Sequence, residues 1–247
     1  MQYISVMFFV ISRPEAISDK GIGNNMNKEW AELNKQMQIK LKKPDTYKQG
    51  IAALFELRNE LMETVFSFRK EITREDFNVM PFANAKGYHS KSIAYSLWHI
   101  FRIEDIVAHT LICGDEQVFF SESYDKRIGS PIITTGNELA GREIADFSEK
   151  LDIDELYSYI ADVKKVTEGI VSNLTFDELK RKISDDIKSE LRALNVVSSD
   201  EKAVWLIDYW CGKDIRGLIQ MPFSRHWIMH TEACLRIRDR LLKGQRS

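Results

Sequence analysis

The sequence predicts an all-α fold, and three observations carry that prediction. Gly and Pro together fill 17 of the 247 positions, about 7% where average usage is roughly 12%. An all-β sandwich or barrel needs a turn signal every few residues and is poorly served by so few. Apolar residues recur at spacings of three and four along most of the chain, the period of a helix with one buried face. Several of these stretches open on Ser, Thr or Asp, which accept hydrogen bonds from the free N–H groups of a helix start.

The first twelve residues, MQYISVMFFVIS, are apolar but end at Arg13-Pro14. A membrane-spanning helix needs roughly 20 apolar residues, and neither a basic leader nor a small-residue cleavage site is evident. The stretch reads either as a short docked strand or as an extension upstream of a start at Met26. Residues 18–27 hold Gly21, Gly23 and an Asn cluster, a linker composition. The expected organisation is a poorly ordered N-terminal extension over residues 1–40 and one helical domain over 41–247.

Within that domain, Ile51, Leu54, Leu57, Leu61 and Val65 predict a helix over 45–69. A second should start at Ser90 or Ser92 and run to Ile112, with Ile93, Leu97, Ile100, Val107 and Leu111 on one stripe. Residues 114–137, with three glycines and Pro131, read as a long crossover, a length that suggests function or partial structure. A short helix over 138–150 and a longer one over 152–174 follow, the latter burying Leu156, Ile160, Val163, Val166 and Ile170. Thr175-Phe-Asp-Glu178 has capping-box spacing and predicts a further helix. Residues 201–218 are again helical until Met221-Pro222 stops them, and a last helix is capped near Ser224 and reaches Leu242.

Charged residues make up 29% and apolar residues 44%, with a formal net charge of −2. That is the composition of a soluble globular protein, with no basic excess for nucleic-acid binding and no span for a membrane. Cys113, Cys211 and Cys234 are an odd set with no C-x-x-C pair, which argues against a disulfide framework and for a cytoplasmic setting.

The informative chemistry lies in Pro222-Phe-Ser-Arg-His226-Trp-Ile-Met-His230. Two histidines at i and i+4 share one face, here the apolar one with Trp227, Cys234, Ile237 and Leu241. A buried imidazole must pair its nitrogens or lose about 1–3 kcal/mol for each unpaired group. A divalent metal satisfies both rings at once, since neutral imidazole suits Zn, Ni, Cu and Fe; the other reading is two core histidines bonded to carboxylates or carbonyls. His99, mid-way along the second helix and flanked by Ile103 and Ile106, is the best third ligand. Three histidines on two facing helices leave coordination positions open for substrate. His89 reads as solvent-facing or capping, and His109 as a surface residue. Glu104 falls inside an apolar stripe, where a carboxylate must be paired. It either orients a ligating histidine or forms a buried salt bridge, to Arg225 or to Arg102 of a neighbouring chain. Asp208 is a weaker candidate for the same orienting role. Cys234 lies two turns from His226 and reads as a small core residue. Phosphate loops, dinucleotide fingerprints, nucleophile elbows, zincin motifs and Glu-x-x-His pairs are all absent from the sequence.

Two stretches, Ser92-Ile-Ala-Tyr-Ser-Leu-Trp-His99-Ile-Phe-Arg-Ile-Glu-Asp105 and Met221-Pro-Phe-Ser-Arg-His226-Trp-Ile-Met-His230, resemble the DinB/YfiT-like metalloenzymes. That family's pattern is a lone histidine on the second bundle helix and a His-x3-His pair on the last. The resemblance implies a four-helix bundle of up-down-down-up order with a long crossover, here with extra helices. It implies a divalent ion, Zn or Ni, on His99, His226 and His230, and often a homodimer. Its best-understood members are S-transferases and isomerases that use low-molecular-weight thiols such as bacillithiol or mycothiol. The expected function is therefore a metal-dependent thiol S-transferase acting on a small molecule. The alternatives are a metal-dependent hydrolase and a non-catalytic metal-binding stress-response bundle.

Overall fold

One long apolar stripe after another sets the architecture of the chain. The computed structural model describes residues 19–85 and 87–245. Helices α1 (Asp19–Lys40) and α2 (Tyr47–Glu71) pack against each other. Helix α3 (Ile93–Ile106) runs on into a π-helical stretch, Val107–Cys113. Three short helices follow, α4 (Val118–Ser121), α5 (Tyr124–Arg127) and α6 (Arg142–Ser148), before the long α7 (Ile153–Asn173). Next come α8 (Asp185–Ala193), α9 (Glu201–Cys211) and α10 (Ile215–Gln220). A second π-helical stretch, Met221–Arg225, then leads directly into α11 (His226–Gln245). The described residues contain no strand, only an isolated bridge between Lys182 and Asp214. No helix among them is long and apolar enough to cross a membrane.

The expected stripe of α2 is buried: Leu54, Leu57, Leu61 and Val65 are fully inaccessible and Ile51 nearly so, and Phe68 continues it, worth about 1.5–3 kcal/mol each. Helix α3 is buried on every side, from Ile93 to Ile106, as expected of a central helix. It starts where Ser92 accepts the Tyr95 N–H at 3.0 Å. Contacts link α2 to α7, α7 to α3, α3 to α11, and α11 back to α2. The Tyr157 hydroxyl of α7 donates to the Val65 carbonyl at 2.8 Å. Arg58, earlier on α2, reaches Glu168, later on α7, at 3.0 Å. Glu71 of α2 pairs with Arg238 of α11 at 2.8 Å.

Several expectations are corrected. Residues 1–18, including the apolar stretch, lie outside the described residues. The segment expected to be a poorly ordered extension up to residue 40 is helical from Asp19, and Trp30 and Met37 are buried within the fold. Gly50 marks its close approach to α2, since a Cβ there would lie 2.9 Å from the Leu41 backbone nitrogen. The Thr175–Glu178 capping box forms, with the Thr175 N–H donating to Glu178 at 2.7 Å. It starts only a 3-10 turn, Glu178–Lys180, because Arg181 is extended and its carbonyl accepts the Ile215 N–H instead. The helix expected over 201–218 breaks at Gly212, where Asp214 turns its carboxylate onto the Gly217 N–H at 2.8 Å and caps α10. The α-helix does end at Met221-Pro222, since α10 closes at Gln220 with Met221 as its C-cap. The chain then turns on as the π-helical stretch, with Pro222 in its first turn, where a missing N–H costs least. Ser224 is no cap: its hydroxyl donates to the Ile219 carbonyl at 3.2 Å. Val166 faces outward, 37% exposed.

Candidate metal centre

The π turn and the buried middle of α3 bring the histidines together. Arg58 donates to the Phe223 carbonyl at 3.1 Å, anchoring the turn just ahead of His226. From there α11 presents His226 and His230 one turn apart toward His99. The ring centroids are 5.0 Å apart for His99 and His226, 4.9 Å for His99 and His230, and 4.6 Å for the α11 pair. All three side chains are buried, and one ligand nitrogen from each lies within 4.8 Å of the others.

Hydrogen bonding defines what these rings can offer. His99 Nδ1 is 2.7 Å from the Thr135 carbonyl. A carbonyl only accepts, so Nδ1 carries the proton and Nε2 keeps its lone pair. Orientation of one ring nitrogen by a carbonyl is the usual support of a ligating histidine. His226 Nδ1 and both nitrogens of His230 are buried with no hydrogen-bond partner. Neither the carboxylates nor the carbonyls of the core reading are present on these atoms. Three neutral imidazoles, one oriented from behind and two with unmatched nitrogens, could hold a metal ion.

Burial holds all three histidines below the ordinary range, His99 down to about 4. For His226 and His230, mutual repulsion within the cluster adds to burial. The rings are therefore neutral at pH 7. Below the ordinary histidine pKa of about 6.5 the unfolded chain takes up protons that the folded chain refuses, so stability must fall with pH. The metal-free protein is expected to lose urea resistance steadily from pH 6.5 toward 4, a decline that a triple His-to-Leu variant would flatten.

The crossover takes part in the site. Gly136 has φ +75 and its carbonyl accepts the Tyr95 hydroxyl at 2.8 Å. Tyr95 stacks on His99 at 5.6 Å, so the loop holds His99 through both Thr135 and Tyr95. A Cβ at Gly136 would meet the Tyr95 ring at 3.1 Å. Gly136→Ala should cost about 1–2 kcal/mol for the left-handed backbone alone, read as a lower urea midpoint. Thr135 was not legible as a site residue, since it acts through its backbone; Gly136 was the available signal.

The other sequence candidates fall elsewhere. Glu104 is fully buried and binds Arg58 through both carboxylate oxygens, at 2.7 and 2.9 Å, and the Trp227 indole N–H at 2.7 Å. The salt-bridge reading is the one observed, with Arg58 as partner rather than Arg225 or Arg102. Arg225 is exposed. Asp208 is exposed and pairs with Lys188 at 2.8 Å, so it orients no histidine. His109, expected at the surface, is buried with Nδ1 2.6 Å from Asp115. His89 is half-buried and accepts from Arg236 at 3.1 Å. Cys234 sits in the core, its thiol pushed up to about 12 by burial.

A cavity of about 250 Å³ opens over the histidines, with His99 and His226 in its lining. Ile103, Leu206, Met221 and Pro222 supply apolar wall, and Tyr88, Trp205, Tyr209 and Trp210 line it with rings. The aromatic face of α9 is the part the sequence reading missed. Its signal was the run Trp205-Leu-Ile-Asp-Tyr-Trp210, where Trp205 and Tyr209 share a face. A wider hollow between α2 and α7, about 620 Å³ and bordered by Lys164 and Glu168, does not include the histidines. No protein-family model matches the chain, and no curated protein matches its sequence.

Proposed function

We propose that the chain is a divalent-metal-dependent enzyme of the DinB/YfiT-like type, and that it transfers a low-molecular-weight thiol to a small molecule. The observation that carries this reading is the cluster of three neutral histidines with unmatched nitrogens at the edge of a cavity. The helix pairings support the bundle part of it. The contacts of Val65 with Tyr157 and of Arg58 with Glu168 run α2 and α7 antiparallel. Those of Arg58 with Phe223 and of Glu71 with Arg238 run α2 and α11 parallel. Trp227 meeting Glu104 while His230 meets His99 runs α3 against α11. These directions support an up-down-down-up order, in which residues 114–152 would serve as the crossover and α8–α10 as added helices.

In this reading His99, His226 and His230 hold the ion, with Thr135 fixing the tautomer of His99. A bound divalent ion supplies charge that lowers the pKa of a thiol held against it. The cavity lining contains no Asp or Glu. A nucleophile held there would therefore lose its proton to the charge of the ion rather than to a carboxylate base. The apolar wall around His226 keeps bulk water from the nucleophile, and Asn137 in the lining offers an amide to orient the acceptor.

The test is a conjugation screen with zinc- or nickel-loaded protein, several cellular thiols and a panel of electrophiles. Product formation should require both thiol and metal and disappear in His226→Ala. Turnover that proceeds without thiol would replace this reading with a hydrolase.

A further inference from the structure

The cavity over the histidines exposes large rings. Trp205 is 50% exposed, Tyr88 39% and Tyr209 37%, and clustered apolar surface of this kind marks a binding site. The rings are also held in place. The Trp205 indole N–H donates to the Lys202 carbonyl at 2.9 Å. Trp205 meets Tyr209 edge-on at 5.7 Å, and Tyr88 meets His230 edge-on at 4.7 Å.

Charge gives a second constraint. Three neutral imidazoles leave a divalent ion its full charge, and no acidic side chain lines the cavity to offset it. Lys91 adds to the same sign. Its ammonium lies 4.8 Å over the Tyr95 ring, which stacks on His99, and its charge acts on both His99 and His230. Lys202 in turn is near enough to act on Lys91. An entering group that carries negative charge is therefore favoured over a neutral one. Size is the third constraint, since about 250 Å³ falls just below the roughly 300–1,000 Å³ of sites for drug-sized ligands. One ring with a short substituent fits within it and leaves space for a second small group.

Resting on the metal reading above, we propose that this cavity binds a small anion bearing a single flat ring. The ring lies against Trp205, Tyr209 and Trp210, and the anionic group points toward His99 and His226. Ring-on-ring contact supplies affinity that a saturated ring of similar size does not match. The anionic group answers the charge of the metal and of Lys91.

Benzoate, cyclohexanecarboxylate and benzamide are similar in size and separate the two parts of the proposal. Their binding to the full-length, zinc-loaded protein is measured by ligand-observed NMR, with zinc content determined on the same samples. Benzoate should bind about tenfold more tightly than either of the others. Trp205→Ala and Tyr209→Ala, both at exposed positions, should each weaken benzoate severalfold and leave zinc content unchanged. Equal binding of cyclohexanecarboxylate, or no effect of either substitution, overturns the ring contact. Equal binding of benzamide overturns the requirement for an anion. Protein that takes up no zinc overturns the metal reading and this inference with it. Zinc-loaded protein that shows no preference overturns this inference alone.

Discussion

Glu104→Gln is expected to destabilise the fold by about 3–5 kcal/mol, the usual cost of breaking a buried ion pair from one side. Both Arg58 and Glu104 have no exposed side-chain surface, and their guanidinium and carboxylate meet through two bonds. Burial works against the Arg58 charge, yet the Glu104 and Glu168 carboxylates outweigh it and hold the guanidinium above its ordinary range. With Glu104 neutral, only the partly exposed Glu168 is left to balance that charge. The Arg58 guanidinium also lies 4.3 Å over the Trp227 ring, and Trp227 donates to Glu104. The loss therefore reaches the first turn of α11 and should weaken zinc binding as well, since supports behind the ligands typically contribute about 10–100-fold. Urea unfolding followed by tryptophan fluorescence checks the first effect. Replacing both partners, as Arg58→Met with Glu104→Leu, should recover most of the stability, because well-packed apolar residues often match a buried pair. A single-variant loss below about 1 kcal/mol would mean that the pair is solvated, contrary to its burial.

His230→Leu should act in opposite directions on the two forms of the protein. In the metal-free form both His230 nitrogens are buried without partners, at about 1–3 kcal/mol each. Leucine removes that cost while filling most of the space, so metal-free stability should hold or rise. Zinc affinity should fall by at least about 100-fold, more than the loss of a supporting residue typically brings. A competition titration against a chromophoric chelator measures the second effect, and urea unfolding with excess chelator the first. A core histidine would behave differently: its replacement would lower stability and leave zinc uptake alone.

Much of this was legible because helices advertise themselves locally. The stripe of α2, the Ser92 cap and the Asp152 cap of α7 lie where spacing and side-chain chemistry put them. The His99, His226 and His230 grouping was legible because a helical face can be counted and an imidazole on an apolar face needs a partner. Features decided by distant residues were not. The 3-10 turn after Thr175 ends as it does because Arg181 and Lys182 meet Asp214 and Ile215. Met221-Pro222 marks the end of α10, but the π turn that follows departs from α-helical spacing and has no local signature. Arg58 gave no sign of being the partner of Glu104, 46 positions away on another helix. One stripe of α3 places His109 at the surface, but the π-helical stretch that carries it is buried from Val107 to Ile112 by distant neighbours.

The central claim is that His99, His226 and His230 hold a divalent metal ion. Elemental analysis of protein purified without an affinity tag tests it most directly, alongside His226→Ala prepared in the same way. The expected result is close to one zinc or nickel per chain in the wild type and none in the variant. Folded wild-type protein that carries no metal, and takes none up on dialysis against zinc or nickel, would contradict the account.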